Sequence, residues 1–276
     1  MLTSGETVLA VPTGNLKKEI KLLIGDKVIV TKDDYSNKFV INSILPRSNS
    51  LIRPTVANVD QLAIIIAPHP APDFYLIDKL IIYCNINGIN PILVINKIDK
   101  ANNNFLNSVV NEYGSVVSAI VQTSAVNGNV ENLKNLLKNK FTVFAGQSAV
   151  GKSSILNSIS PKLNQQTNGL SKKVQRGKHT TRVCEIFKVD NCLIADTPGF
   201  SMLEVFDVEP QDLQDYYTEF LKFRTCKFSN CCHTNLADAS CGVAQAVNNG
   251  KINLNRYNRY VTIYKKLKES WDKKYD

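Results

Sequence analysis

The chain lacks any long apolar stretch, since none of its uninterrupted hydrophobic runs approaches the about 20 residues that a helix needs to cross a bilayer. Residues 1–10 also lack the basic flank, apolar core and small-residue cleavage site of a secretion signal. Together these absences predict a cytoplasmic protein with no membrane partner.

The sequence also gives no indication of a disulfide framework. The seven cysteines are an odd number, and the cytosol keeps thiols reduced. We therefore expect the cysteines to be metal ligands or buried small apolar residues. Cys84, Cys184 and Cys192 lie in apolar helix or strand contexts, which favours burial for these three.

The rest of the composition is that of a folded protein, with 43% hydrophobic and 21% charged residues. A length of 276 residues allows about two domains, or three if the flanking ones are small. The net charge of +9 favours a polyanionic partner, because cationic side chains neutralise phosphates and release counterions.

Residues 1–58 read as short strands separated by Gly, Asp and Asn turns. The predicted strands cover residues 7–11, 19–24, 26–31 and 39–45. This spacing predicts a small β-barrel, for which an OB-like barrel is the natural candidate. Strand spacing alone does not separate an OB fold from an SH3-like one.

From residue 59 to about 203 the pattern changes to alternating strands and helices. The predicted strands are 62–67, 91–96, 119–122, 141–145 and 192–195, and the predicted helices are 74–87, 130–139 and 152–159. Asp73 is placed to cap the first helix and Gly88 to end it. Alternation of this kind predicts a doubly wound α/β domain with a parallel sheet.

Residues 204–276 are predicted to form a small helical domain, with a helix at 210–223, a cysteine-rich loop and a helix at 254–271. In the last helix an apolar stripe predicts a core-facing side. Its members are Leu254, Tyr257, Val261, Tyr264, Leu267 and Trp271. The basic residues of the opposite side fit either a solvated face or an RNA contact, and they are Lys251, Arg256, Arg259, Lys265, Lys266 and Lys268.

One motif between a predicted strand and a predicted helix matches G-x-x-x-x-G-K-[ST]. In such a loop backbone amides wrap phosphates, the helix N-terminus adds positive potential, Lys152 reaches the terminal phosphates and Ser153 ligates magnesium. The predicted phosphate-binding residues are Gly146, Gln147, Ser148, Ala149, Val150, Gly151, Lys152, Ser153 and Ser154.

A second motif, N-K-x-D at Asn96, Lys97 and Asp99, specifies the base. The carboxylate of Asp99 can accept hydrogen bonds from both the ring N–H and the exocyclic amine of guanine, which adenine does not offer. Ser124 and Ala125 follow the next predicted strand, where GTPases supply a backbone amide to the guanine oxygen. The chain is therefore predicted to bind GTP and GDP.

A third motif, D-x-x-G from Asp196 to Gly199, follows the apolar strand 192–195. The carboxylate is expected near magnesium, and the glycine amide near the γ-phosphate. Residues 167–182 carry basic and no acidic side chains, as expected of a mobile switch segment. There either Thr180 or Thr181 would complete the magnesium site.

Phe200 follows the D-x-x-G motif, where many GTPases carry the glutamine that orients the attacking water. A phenyl ring has no group for that task, so slow unassisted hydrolysis is expected. His179 in the basic switch becomes the candidate catalytic residue beside Lys152, once a partner orders the segment.

The cysteine-rich loop contains C-x4-C-x-H-x7-C, formed by Cys226, Cys231, His233 and Cys241. Three thiolates and one imidazole make a closed tetrahedral zinc site of the structural kind. Cys232 is a competing ligand, although side chains of adjacent residues usually point apart.

The guanine motif precedes the phosphate loop in this chain, the reverse of the usual GTPase order. The permuted order, the segment Gly177-Lys178-His179-Thr180-Thr181 and the cysteine motif together resemble the family of ribosome small-subunit-dependent GTPases, RsgA. The resemblance spans nearly the whole chain, and residues 47–54 resemble the family's link between barrel and GTPase domain. One departure is Ala149, which stands where a glycine is common.

The resemblance implies an N-terminal OB domain, a circularly permuted P-loop GTPase domain and a C-terminal zinc-binding domain. It also implies binding to the small (30S) ribosomal subunit and its 16S rRNA late in assembly, with GTP hydrolysis stimulated by the subunit. A monomer is expected. It is expected to hold one structural Zn²⁺ and, separately, to bind Mg²⁺ together with GTP. Two alternatives are a permuted GTPase of the large subunit, and a zinc-dependent RNA-binding scaffold with weak hydrolysis.

Overall fold

The structure, a computed structural model, describes residues 2–14, 21–33, 38–51, 54–160, 185–196 and 208–275. Part of the predicted switch machinery lies outside these ranges, namely the segment 167–182 with His179, Thr180 and Thr181, and also Gly199 and Phe200. Cys184 lies outside them too. The roles predicted for these residues stay predictions.

The N-terminal region contains a three-stranded sheet. Its strands are β1 (Ala10–Pro12), β2 (Val28–Lys32) and β3 (Phe39–Ile44), in the order β1-β3-β2. β1 runs parallel to β3, whereas β2 is antiparallel to it and carries an irregularity between Ile29 and Val30. Three of the four strands predicted here are therefore present, with shifted ends.

Two shorter strands join this region to the rest of the chain. β4 (Ser50–Leu51) and β5 (Val56–Ala57) form an antiparallel ribbon, and Ile24 bridges to Val56. Residues 21–24, expected at the end of a strand, carry only this bridge. An OB-like closed barrel stays a prediction, since residues 15–20 and 34–37 lie outside the described ranges.

Within the described ranges, the central sheet has six strands in the order β10-β11-β9-β6-β7-β8. Its strands are β6 (Gln61–Ile66), β7 (Asn90–Ile95), β8 (Ala119–Gln122), β9 (Phe141–Ala145), β10 (Glu185–Val189) and β11 (Cys192–Asp196). The strands from β11 to β8 are parallel, and only β10 is antiparallel to its neighbour. All five predicted strands are confirmed, whereas β10 was not predicted.

Four helices pack on this sheet: α1 (Phe74–Ile86), α2 (Asn103–Tyr113), α3 (Glu131–Leu137) and α4 (Lys152–Ile159). The side chain of Asp73 caps α1 by accepting from the Leu76 amide at 3.0 Å, and Gly88 follows with φ +64°, as predicted. The sequence pattern did not predict α2, because its many asparagines leave only a narrow apolar side.

Residues of β6 alternate between two buried clusters, one on each face of the sheet. Ile64 and Ile66 face the cluster that contains Leu80 of α1, whereas Ile65 faces the cluster that contains Ile155 of α4. Burial on both faces explains why residues 62–66 of this strand are all apolar, and helices on both faces agree with the predicted doubly wound α/β fold.

The C-terminal region is helical but differs from the prediction. The expected helix 210–223 is wrong, because two 3-10 helices, Pro210–Tyr216 and Thr218–Phe223, replace it. The break is Tyr217, whose backbone is not helical and whose fully buried ring packs against Phe220 and Tyr260. Two α-helices follow, α5 (Gly242–Asn248), which was not predicted, and α6 (Leu254–Tyr275).

The predicted apolar stripe of α6 is partly wrong. Tyr257 and Leu267 are buried as expected, but Leu254 is 49% exposed. Tyr260 and Ile263 complete the inward face instead. None of the helices among the described residues is both long and apolar enough to cross a membrane.

Two arginines of α6 correct the prediction of a solvated or RNA-contacting basic face. Arg256 is 1% exposed, and its Nη1 donates to Oδ1 of Asp78 on α1 at 2.6 Å. Arg259 Nε donates to the other oxygen of Asp78 at 2.5 Å. They turn inward because Asp78, itself fully buried, needs cationic partners. The lysines of that face are exposed, namely Lys251, Lys265, Lys266 and Lys268.

Candidate functional site

The predicted nucleotide motifs meet at one edge of the central sheet. The phosphate loop follows β9, the N-K-x-D motif follows β7, Ser124 follows β8 and Asp196 ends β11. These four strands are parallel, so their carboxyl ends lie together, where open α/β sheets bind ligands. Four segments separated along the chain thus converge on one site.

Close packing requires the two glycines of the phosphate loop. Gly146 has φ +135°, and a Cβ there would lie 2.2 Å from the Ile65 carbonyl oxygen. Gly151 has φ +99°, and a Cβ there would lie 2.4 Å from Nδ2 of Asn96. Any other residue would push the loop away from β6 and from the N-K-x-D motif.

The remaining loop residues form a turn that leads into α4. Lys152 Nζ donates to the carbonyl oxygens of Gly146 at 2.9 Å and Gln147 at 2.7 Å, so the ammonium lies against the loop backbone. Ser153 and Ser154 are exposed on the first turn of α4. Ala149 has φ +64°, the left-handed region that glycine adopts without strain.

Gln147 ties the phosphate loop to α1. Its Oε1 accepts from the Asp73 amide at 2.8 Å, and its Nε2 donates to the Ala71 carbonyl at 3.3 Å. This side chain therefore braces the loop against the N-terminus of α1. The sequence motif identified Gln147 as a loop residue but carried no signal for this contact.

Asn96 and Lys97 hold the guanine motif against the phosphate loop. Asn96 is buried, and its Nδ2 donates to the Val150 carbonyl at 2.9 Å. Lys97 has φ +58°, and its Nζ donates to the carbonyls of Ala149 at 2.7 Å and His69 at 2.8 Å. These bonds therefore tie the N-K-x-D motif directly to the predicted phosphate loop.

Asp99 is oriented by Ser124. The Ser124 hydroxyl donates to Oδ1 of Asp99 at 2.5 Å, and this bond is the main reason that the pKa of the carboxyl is lowered. The Ala125 amide lies 3.4 Å from Oδ1 of Asn96. An ionised carboxylate held at the rim of the site is the group that guanine recognition requires.

Asp196 pairs with Phe144 across β11 and β9, which places its backbone beside the strand that carries the phosphate loop. Of the predicted magnesium ligands, Ser153 and Asp196 thus lie on neighbouring elements. Their predicted partners Thr180 and Thr181 lie outside the described residues, as do Gly199 and His179.

A second site lies in the loop between the 3-10 helix Thr218–Phe223 and α5. The Nδ1 atom of His233 lies 3.3 to 3.5 Å from the sulfurs of Cys226, Cys231 and Cys241, and the Cys226 and Cys241 sulfurs are 3.8 Å apart. In a tetrahedral site with zinc about 2.3 Å from each sulfur, two sulfurs lie about 3.8 Å apart. The four side chains therefore fit one metal ion.

The surroundings of this cluster suit a metal. Burial, with a smaller contribution from Arg224, lowers the pKa of His233 to about 4, so the ring is neutral and a nitrogen is free to coordinate. Cys232 takes no part, since its sulfur faces the Asn230 carbonyl at 3.6 Å. Cys84 and Cys192 are buried in apolar clusters, as predicted.

The fold and the first site define a class of protein, a P-loop GTPase in which the guanine motif precedes the phosphate loop. The sequence profile of the RsgA GTPase family matches residues 44–206. The chain belongs to the RsgA GTPase family, and it is a GTP hydrolase that works with magnesium.

Individual relatives agree with this assignment. The small ribosomal subunit biogenesis GTPase RsgA of Ruminiclostridium cellulolyticum is 42% identical over 92% of this chain and 84% of its own. The crystal structure of YjeQ from Thermotoga maritima superposes with a TM-score of 0.81 at 36% identity, covering 96% of this chain and 91% of that one. YloQ, a circularly permuted GTPase, superposes with a TM-score of 0.79 at 30% identity over 96% and 88% of the two chains.

Proposed function

We propose that this GTPase acts in the maturation of the small (30S) ribosomal subunit, which stimulates its hydrolysis of GTP to GDP and phosphate. The observation that carries the proposal is that one chain joins the nucleotide site to a Cys/His cluster through α1. Relatives about 40% identical to this chain are named small ribosomal subunit biogenesis GTPases.

In the proposed nucleotide complex, Asp99 accepts from the guanine ring N–H and amine, while the Ala125 amide donates to the guanine oxygen. Ser124 holds the Asp99 carboxylate in position for this task. Asn96 and Lys97 keep the base-reading segment against the loop. Because adenine lacks the matching donors, the site selects GTP and GDP.

The phosphates would lie in the loop from Gly146 to Ser154, where backbone amides and the N-terminus of α4 carry positive potential. Lys152 would contact the terminal phosphates. Mg²⁺ would be held by Ser153, Asp196 and one of Thr180 or Thr181, and it would neutralise the charge that develops during phosphoryl transfer.

His179 is the proposed catalytic residue that positions water, because Phe200 stands where many GTPases have a glutamine. An imidazole in a basic switch can do this only when the segment is held over the phosphates. The proposal therefore links fast turnover to a partner that orders residues 167–182.

We propose that Cys226, Cys231, His233 and Cys241 hold one structural Zn²⁺. Zinc would fix the loop that separates the two 3-10 helices from α5 and α6. The exposed lysines of α6, with an OB-like N-terminal domain, would contact the 16S rRNA, and a net charge of +9 favours that partner. One monomer would bind each subunit.

The test is the GTP turnover rate of the purified chain alone, with small subunits, and with large subunits at equal concentration. The turnover rate is expected to rise with small subunits and not with large ones. The Lys152→Ala variant should show no rise with either. No rise with small subunits, or a rise only with large ones, would overturn the proposal. RNA binding without any turnover would identify a scaffold instead.

A further inference from the structure

The metal cluster contains one contact that comes from outside its loop. The Oε1 atom of Gln214, in the 3-10 helix Pro210–Tyr216, lies 2.7 Å from Nε2 of His233. The imidazole is 3% exposed, so little water competes for this nitrogen. An amide oxygen accepts hydrogen bonds only, so Nε2 must carry the proton and Nδ1 must carry the lone pair.

The orientation of the Gln214 amide is itself determined by a second bond. Its Nε2 donates to the Gln211 carbonyl at 2.8 Å. If the amide were turned over, its oxygen would face that carbonyl and its NH₂ would face the imidazole. The two contacts therefore agree on one arrangement, in which Nδ1 faces the three sulfurs.

His233 needs such support because its backbone is unfavourable for a non-glycine residue. Its φ is +54°, in the left-handed region that L-residues other than glycine rarely adopt. The ring of Phe220 packs edge-on against the imidazole with centroids 6.0 Å apart. Together with Gln214 it confines the ring to one orientation.

We propose that Gln214 is a positioning residue of the metal centre, which sets the tautomer of His233 so that Nδ1 is the ligand atom and thereby slows metal release. Groups that hydrogen-bond the second nitrogen of a metal-bound histidine typically contribute about 10- to 100-fold to metal affinity. The inference rests on the proposed zinc site and is independent of the ribosomal partner.

Gln214 also links the metal loop to the nucleotide domain. Its 3-10 helix ends at Tyr216, whose carbonyl accepts from Nδ2 of Asn85 on α1 at 2.8 Å. Leu213 beside it is fully buried in the cluster that includes Ile82 of α1. Gln214, which orients the His233 ring, is therefore held near the C-terminal end of α1. Gln147 contacts the N-terminal end of the same helix.

The experiment measures zinc release from the full chain to excess chelator, with the wild type and two variants of Gln214. Gln214→Leu removes the acceptor and should release zinc about 10- to 100-fold faster. Gln214→Glu keeps an acceptor for Nε2–H although it loses the bond to the Gln211 carbonyl, so its release rate should stay closer to the wild type than that of Gln214→Leu. The matched control is Gln245→Leu, since the side-chain Nε2 of Gln245 donates to the Ala239 carbonyl of the same loop at 2.6 Å, while the bond from its backbone amide to the Cys241 carbonyl is kept in the variant.

Equal release rates for the leucine and glutamate variants, or an equal effect of the Gln245 control, would overturn the inference. If Gln214→Leu does not fold, ¹⁵N spectra of the zinc-loaded wild type decide. A protonated Nε2 and a coordinated Nδ1 on His233 support the inference, and coordination through Nε2 refutes it. A wild-type chain that binds no zinc would instead refute the metal site itself.

Discussion

Asp78 and Arg256 form a buried ion pair between α1 and α6, with 2.6 Å between Oδ1 and Nη1 and with both side chains at most 2% exposed. Arg259 approaches the second oxygen of the same carboxylate, and the Tyr113 hydroxyl donates to its first at 2.9 Å. Each guanidinium group also has a second carboxylate partner, Glu219 for Arg256 and Glu112 for Arg259. The C-terminal region is therefore joined to the nucleotide domain by charges that have little access to water.

Asp78→Asn should reduce the free energy of unfolding by about 3 kcal/mol, because it weakens two buried charge-assisted hydrogen bonds worth about 1.5–3 kcal/mol each, those from Arg256 and Arg259. Urea denaturation measures this loss. The control is Asp215→Asn, which breaks an exposed pair with Arg224 and should cost less than about 1 kcal/mol. Equal losses for the two variants would contradict the structural role of Asp78.

Asp99→Asn should lower GTP affinity at least about 100-fold, since two hydrogen bonds to a charged group are lost or weakened. Affinity for xanthosine triphosphate should rise, because the asparagine amide can donate to the carbonyl that replaces the guanine amine. Titration with both nucleotides measures the switch, and Asp272→Asn on the exposed side of α6 is the control. Unchanged GTP affinity would remove Asp99 from the base site.

Ala149→Gly should raise the melting temperature, corresponding to a gain of up to about 1 kcal/mol, because glycine adopts the φ of +64° without strain. Ala145→Gly is the control, since Ala145 lies in the strand β9 and is 1% exposed. There the change relieves no backbone strain and only makes the unfolded chain more flexible. That control should lose about 1 kcal/mol. A fall in melting temperature for both variants would mean that the Ala149 methyl makes a contact worth more than its strain.

His179→Ala should leave GTP affinity within about twofold of the wild type and reduce turnover on small subunits about 100-fold or more. Single-turnover measurements at saturating subunit separate this loss from weaker binding. The neighbouring Lys178→Ala variant should weaken subunit binding while keeping the rate at saturation. If small subunits stimulate the His179→Ala variant as strongly as the wild type, another group must position the water.

The sequence could place the phosphate loop and the N-K-x-D motif at one edge of the sheet, because both are short motifs at strand ends, whereas the roles of the individual residues stay predictions. Gly146, Gly151, Asn96 and Asp99 each occupy a position that local spacing already identified, and the parallel sheet brings those positions together. The contacts of Gln147 and Gln214 were not predicted, because a glutamine side chain has no preferred partner that its neighbours in sequence reveal.

The errors in the C-terminal region have a common origin. Periodicity placed Arg256 and Arg259 on the polar side of the last helix, and it suggested one continuous helix from Pro210. The structure turns both arginines toward Asp78 and breaks the helix at Tyr217. A buried carboxylate on a distant helix outweighed the local pattern, and so did the burial of one tyrosine.

The sequence by itself determined the permuted order of the motifs, the α/β alternation and the Cys/His spacing, because each depends on residues that are close along the chain. Only the tertiary structure decided which face of α6 is buried and which nitrogen of His233 faces the sulfurs. It also decided how α1 joins the two sites. These depend on partners that are far apart in sequence, and their free energies arise only when packing removes the groups from water.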